Sequence, residues 1–177
     1  MMTSIDQILG NPISFLERVF AALDQDGIDV ADYECDHICY RVETNERYQE
    51  LKAALGQIGK LLIENEINGR LISTFKLNEP IRFRDHKIWC VELPSPKSGK
   101  SYKEGYEHVE FAIGENPVVF RERYPALEFD ESGLHKELDG KQYTGNPDVA
   151  RKYDGLVVKF HERTIEEVIK RDTHGDV

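Results

Sequence analysis

The sequence predicts an α+β fold: two tandem βαβββ modules forming one cup-shaped mixed sheet, with an N-terminal helix packed outside it. Three observations carry this expectation. DHICYRV at 36–42 and EHVEFAI at 107–113 share one order of residue types: acid, His, β-branched, any, aromatic, any, β-branched. Each string is followed by a helical pattern and, at a comparable separation, by a terminal strand, WCVEL at 89–93 and VVKFH at 157–161. Polar and apolar residues alternate in step along all four strings, the period of a strand with two different faces.

The elements follow in order. Asn11 before Pro12 reads as a helix start, and Phe15, Leu16, Val19, Phe20 and Leu23 recur at helical spacing, so a helix is expected from about 12 to 24, ending near Gly27. CDHICYRV is too short and too β-branched for a helix and reads as a strand. NERYQELKAALGQIG carries the apolar stripe Tyr48, Leu51, Leu55 and Ile58 with Gly59 as its stop. KLLIENEI, GRLISTFKL and HKIWCVELP read as three strands, the first two joined by the hairpin dipeptide Asn68-Gly69. The intervening RFRDHK reads as a charged turn with His86 in solvent.

PSPKSGKSYKEG has the composition of a linker or crossing loop, after which the pattern restarts. EHVEFAI is a strand, Asn116-Pro117 opens a short helix VVFRERY, and GLVVKFHE is the closing strand. Residues 130–155 are polar and Gly-rich and give no clear strand positions. Thr164 and Glu167 have capping-box spacing, so TIEEVIKRD is a helix and THGDV a frayed tail. The expected organisation is an N-terminal helical segment over 1–30 and a main domain over 31–177. Within the latter, module one runs from about 31 to 97, module two from about 104 to 162, and a C-terminal helix covers 164–171.

Composition narrows the function classes. The 177 residues include 23 Lys and Arg against 33 Asp and Glu, and a net charge of −10 argues against nucleic acid or an anionic membrane as partner. No apolar run approaches the roughly 20 residues of a membrane span. The opening MMTSIDQILG lacks the basic and apolar regions of a signal peptide, so a cytoplasmic protein is expected. Three cysteines make no disulfide framework, and reduced thiols are expected.

Strand alternation also places the candidate chemistry. His37 shares a face with Cys35, Cys39 and Arg41, while Ile38, Tyr40 and Val42 point the other way. His108, Glu110 and Ala112 oppose Val109, Phe111 and Ile113, and Cys90 with Glu92 opposes Trp89, Val91 and Leu93. A curved sheet would bring His37, Glu92 and His108 to one concave surface. Two imidazoles and a carboxylate form a competent three-residue set for one divalent metal, Zn, Fe, Mn or Ni, with positions left open for ligand. A single strand histidine is more often an ordinary hydrogen-bonded residue; what distinguishes these two is that they hold repeat-equivalent positions.

The other histidines are expected elsewhere: His135 and His174 in solvent, and His161, which has the parity of Lys159, near the rim, or among the ligands if the strand register differs by two. The cysteines share the ligand parity and read as small fillers or, less simply, as zinc thiolates. Arg41 is a candidate clamp for an anionic group, or a salt-bridge partner of one of the acids. Glu110 is the candidate proton shuttle, or equally a charge partner of Arg41. Lys159 holds the repeat-equivalent position of Glu92 and is expected to face the same cup, holding an anionic ligand or pairing with Glu110.

The tandem βαβββ plan, with His37 and His108 opening the modules and Glu92 closing the first, resembles the vicinal oxygen chelate superfamily of glyoxalases, extradiol dioxygenases and bleomycin-resistance proteins. More narrowly, the chain resembles the YecM family of small bacterial proteins. The resemblance rests on DHI at 36–38, INGR at 67–70, FKL at 75–77, VELP at 91–94, EGYEHVE at 104–110 and KFHERTIEEVI at 159–169. It implies a cup of two paired modules with a metal site. Four-ligand members of the superfamily place a Glu where this chain has Lys159, and an ammonium cannot coordinate. The functional expectation is a metal-dependent enzyme of isomerase, lyase or dioxygenase type acting on a small oxygen-rich molecule, as monomer or homodimer. The alternative is a protein of the same fold that binds a small molecule without transforming it.

Overall fold

The computed structural model describes residues 3–135, 137–138, 141–142 and 146–174. It is a mixed α+β protein that divides into two compact units, one of residues 1–18 and 37–107, the other of 19–36 and 108–177. No helix among the described residues is long and apolar enough to cross a membrane.

A five-residue helix, α1 (Ile5–Leu9), precedes the expected one. Ser4 starts it by donating its backbone N–H to Gln7 Oε1 at 2.9 Å, an arrangement at capping-box spacing that the expectation of a single N-terminal helix missed. Helix α2 (Ile13–Asp26) follows, its first amide bonded to Asn11 Oδ1 at 2.8 Å, and all five residues of its apolar stripe are buried.

The first unit has the βαβββ order: β1 (Glu34–Arg41), α3 (Asn45–Ile58), β2 (Gly59–Ile67), β3 (Arg70–Phe83) and β4 (His86–Pro94). Its strand order is β2-β3-β4-β1, with β2, β3 and β4 antiparallel and β1 parallel to β4. Thr44 caps α3 by accepting from the Arg47 amide, and Tyr48, Leu51 and Leu55 bury the predicted stripe. The Asn68-Gly69 hairpin is present with φ of 52° and 76°, the positive pair a two-residue turn requires. At Gly59 the chain passes so close to β3 that a Cβ would sit 2.7 Å from the Lys76 carbonyl oxygen. Only glycine fits there.

Strand β3 continues past the expected end at Leu77 to Phe83. Pro80 falls within a register shift between Lys76 and Ile81, where the strand tolerates a residue without an amide hydrogen. The turn to β4 is therefore only Arg84-Asp85, and His86, expected in solvent, is buried at the start of β4. Burial lowers its pKa below the usual imidazole value; Arg84 acts in the same direction and Asp85 against it.

The second unit departs from the expected βαβββ order. It contains β5 (Gly105–Ala112, from His108 onward), α4 (Pro117–Glu122), a 3₁₀ turn (Ser132–His135), a hairpin of two-residue strands β6 (Glu137–Leu138) and β7 (Lys141–Gln142), then β8 (Asp148–Tyr153), β9 (Leu156–His161) and α5 (Ile165–His174). Three strands pair in the order β5-β9-β8, where the first unit has four, and β6-β7 stands apart. Asn116 caps α4 as expected, and Thr164 with Glu167 caps α5, whose last residues include Thr173 and His174 of the expected tail. The remainder of that tail, 175–177, lies outside the described residues. The core is aromatic: Phe111 stacks on Phe160 at 5.9 Å, and Phe120 lies 4.5 Å from Phe160 between ring centroids.

Candidate functional site

In the first unit the register sets one face of three strands. His37 pairs with Cys90 and Cys39 with Glu92 across β1 and β4, and Glu92 pairs in turn with Thr74 on β3. Side chains alternate, so His37, Cys39, Arg41, Cys90 and Glu92 share a face, together with Thr74, Ile72 and Arg70 of β3. His37 is 2% exposed and its Nε2 lies 3.8 Å from Glu92 Oε2. Cys39 and Cys90 are buried on the same face, while Arg41, Glu92 and Arg70 on it are half-buried. Arg41 does not stand free: its Nε and Nη2 donate to the two oxygens of Glu107, and Tyr102 lies under the guanidinium at 5.2 Å.

In the second unit β5 and β9 run parallel, with His108 opposite Val157, Glu110 opposite Lys159 and Ala112 opposite His161. Glu110 is the hub. Its Oε1 lies 3.2 Å from His108 Nε2 and 3.5 Å from Lys159 Nζ, and its Oε2 lies 3.2 Å from His161 Nε2. His161 Nε2 is also 3.7 Å from Asp36 Oδ2, and the same Asp36 oxygen accepts from the Ile165 amide at 2.9 Å, at the start of α5. The expectation that His161 sits near a rim is corrected: it is 1% exposed and held between two carboxylates. Its parity with Lys159 was the available signal. Asp36, read only as the acid that opens the repeat, gave no signal of its own.

The two units match in register. Glu92 pairs with the residue two after His37, and Lys159 pairs with the residue two after His108. Lys159 therefore does occupy the position equivalent to Glu92, and Glu110 that of Cys39.

Buried imidazoles beside carboxylates are the donors that borderline first-row divalent ions take, and a carboxylate near an imidazole nitrogen fixes which tautomer faces a ligand. Among the described residues, Asp36, His37, Glu92, His108 and His161 are those whose ligand atoms could hold such an ion. Thiol chemistry finds less support. Burial raises the Cys35 thiol well above its usual value, with Asp36 and Glu34 adding to it, so it stays a protonated filler.

The fold and these groups define a mixed α+β protein with buried histidine–carboxylate pairs on strand faces. The chain belongs to the YecM family, whose profile, described as YecM protein, matches residues 4–172. It is similar to Protein YecM of Escherichia coli (strain K12), 33% identical over 184 aligned positions covering 94% of each chain. An uncharacterized protein of Haemophilus influenzae (strain ATCC 51907 / DSM 11121 / KW20 / Rd) is 35% identical over 86 residues, covering 49% of this chain and 45% of its own. Among solved structures, one described as Structural Genomics, Protein EC4020 superposes with a TM-score of 0.72 at 32% identity, covering 97% and 98% of the two chains. The hypothetical protein BH1468 from Bacillus halodurans C-125 shares the fold alone, with a TM-score of 0.50 at 17% identity over 75% of this chain and 95% of that one.

Proposed function

We propose that the chain is a divalent-metal-dependent enzyme of the vicinal oxygen chelate type, acting on a small oxygen-rich molecule, with His37, Glu92 and His108 as the metal ligands. The single observation that supports this most is the matching register, which makes His37 and His108 equivalent in their units and sets a carboxylate within 4 Å of each imidazole. The residues fit the ion by donor type: two neutral imidazoles and a carboxylate suit Zn, Fe, Mn or Ni. When bound, the metal supplies Lewis acidity toward neighbouring ligand oxygens.

The protein's own residues supply the rest. Glu110, touched by two imidazoles and an ammonium, accepts a proton at one oxygen and returns it, with His161 and Lys159 holding the carboxylate in place. Arg41 and Lys159 hold the anionic part of the ligand. A second reading, binding without turnover, is favoured by the Lys159–Glu110 ion pair, which occupies the proposed proton carrier.

Calorimetric titration of metal-stripped protein with Zn²⁺ tests the ligand assignment. The parent should take up one ion, and His37→Ala and His108→Ala should each weaken uptake sharply. Unchanged stoichiometry and affinity in both variants would place the metal elsewhere.

A further inference from the structure

Two arginines lie on the same face of the first unit as His37 and Glu92. From the β1–β4 and β3–β4 registers, Arg41 falls one two-residue step beyond Cys39, and Arg70 falls two such steps beyond Thr74, toward the same end of the sheet. The two strands flank β4, about 10 Å apart, and the arginines differ by one step of about 6.7 Å along them, within the combined reach of two arginine side chains. Their nitrogens are not equally occupied. Glu107 and Tyr102 fix Arg41 and leave Nη1 buried without an acceptor; Nε and Nη1 of Arg70 are likewise buried without one.

Two neighbouring guanidiniums with three buried, unaccepted donor nitrogens are a costly arrangement unless an anion completes it. Burial, and after it the like charge of Arg41, lowers the Arg70 pKa, while Tyr102, Cys39 and Glu92 act the other way; the group remains a cation. Glu107 already neutralises one of the two charges, which leaves room for one negative charge rather than two.

We propose that Arg41 and Arg70 form a binding subsite for a carboxylate, so that the molecule this protein takes is a small carboxylic acid whose other oxygens lie toward His37 and Glu92. Arg70 is then a specificity residue. Its guanidinium is the group that accepts a monoanionic, planar acid, while the clamp from Glu107 holds Arg41 in the orientation that presents Nη1. This names the ligand class of the function proposed above and rests on that reading only for the direction of the ligand's far end.

The test uses EDTA-treated full-length protein, so its outcome is separable from that of the metal. Acetate is titrated at constant ionic strength, with chloride as the compensating salt, while the arginine Nε–Hε resonances are followed by NMR. Saturable shifts at Arg70 and Arg41 that chloride does not produce are expected, and Arg70→Gln should weaken acetate binding about tenfold or more, with Arg70→Lys recovering part of it. Parent resonances that do not respond to acetate would overturn the subsite whether or not the variants fold. Tighter binding of inorganic phosphate than of acetate would overturn the assignment to a carboxylate.

Discussion

Removing the Asp36 carboxylate should unfasten the start of the C-terminal helix from β1. Asp36 is buried, and its Oδ2 accepts from the Ile165 amide at 2.9 Å, the first amide of α5. Thr164 and Glu167 satisfy two other amides of that turn, and neither reaches Ile165. A hydrogen bond to a charged group contributes about 1.5–3 kcal/mol. The negative charge at the helix start adds about 0.3–1 kcal/mol. Asp36→Ala should therefore cost about 2–4 kcal/mol of stability in urea unfolding. Asp36→Asn keeps an acceptor oxygen and loses only the charge-dependent share, about 1 kcal/mol. Hydrogen exchange adds a local readout: the Ile165 amide should lose protection in Asp36→Ala and keep most of it in Asp36→Asn. An alanine variant within about 0.5 kcal/mol of the parent, the scatter of ordinary surface substitutions, would refute the role given to this carboxylate.

Two further outcomes are expected. Lys152, and after it the Ser132 backbone, lowers the Asp130 pKa to about 2, so its stabilising contribution is complete above the ordinary carboxylate range and is lost as pH falls toward 2. Thermal unfolding of Asp130→Asn should accordingly depend less on pH between about 5 and 3 than that of the parent, and equal slopes would contradict the pairing. Lys159→Met keeps most of the stem's volume and removes the ammonium beside Glu110, so binding of an anionic ligand should weaken while metal uptake stays; unchanged affinity for small dicarboxylates and enediolate mimics would leave Lys159 a structural partner only.

Much of this was legible in the sequence because the signals were local. The α3 stripe, the Asn68-Gly69 turn, the Thr164 capping box and the strand parity of His37 and His108 each follow from spacing over a few residues, and each appears in the structure. The misreadings have physical causes. RFRDHK read as a charged turn, yet β3 runs on through the register shift that holds Pro80 to Phe83, and His86 is a buried strand residue. His161 had the right parity, but its depth depends on Asp36, 125 residues earlier in the chain, and on Glu110, and no local pattern reports such a contact. Arg70 opens β3 directly after the hairpin turn, where a charged residue reads as exposed; its place on the face of Glu92 follows only from the pairing of β3 with β4. In the second unit β5 and β9 were legible as EHVEFAI and GLVVKFHE, and only β8 was obscured, by the polar, Gly-rich stretch over 130–155.

The claim on which the functional reading turns is that equivalent histidines in the two units serve a metal. Elemental analysis of the full-length protein, purified without a histidine tag and in buffers free of chelator, tests it most directly. Close to one first-row divalent ion per chain is expected, lost together with the imidazoles in the His37→Ala and His108→Ala variants. Parent protein that carries no such ion, and takes none up on dialysis against Zn²⁺, Mn²⁺, Ni²⁺ or anaerobic Fe²⁺, would contradict it.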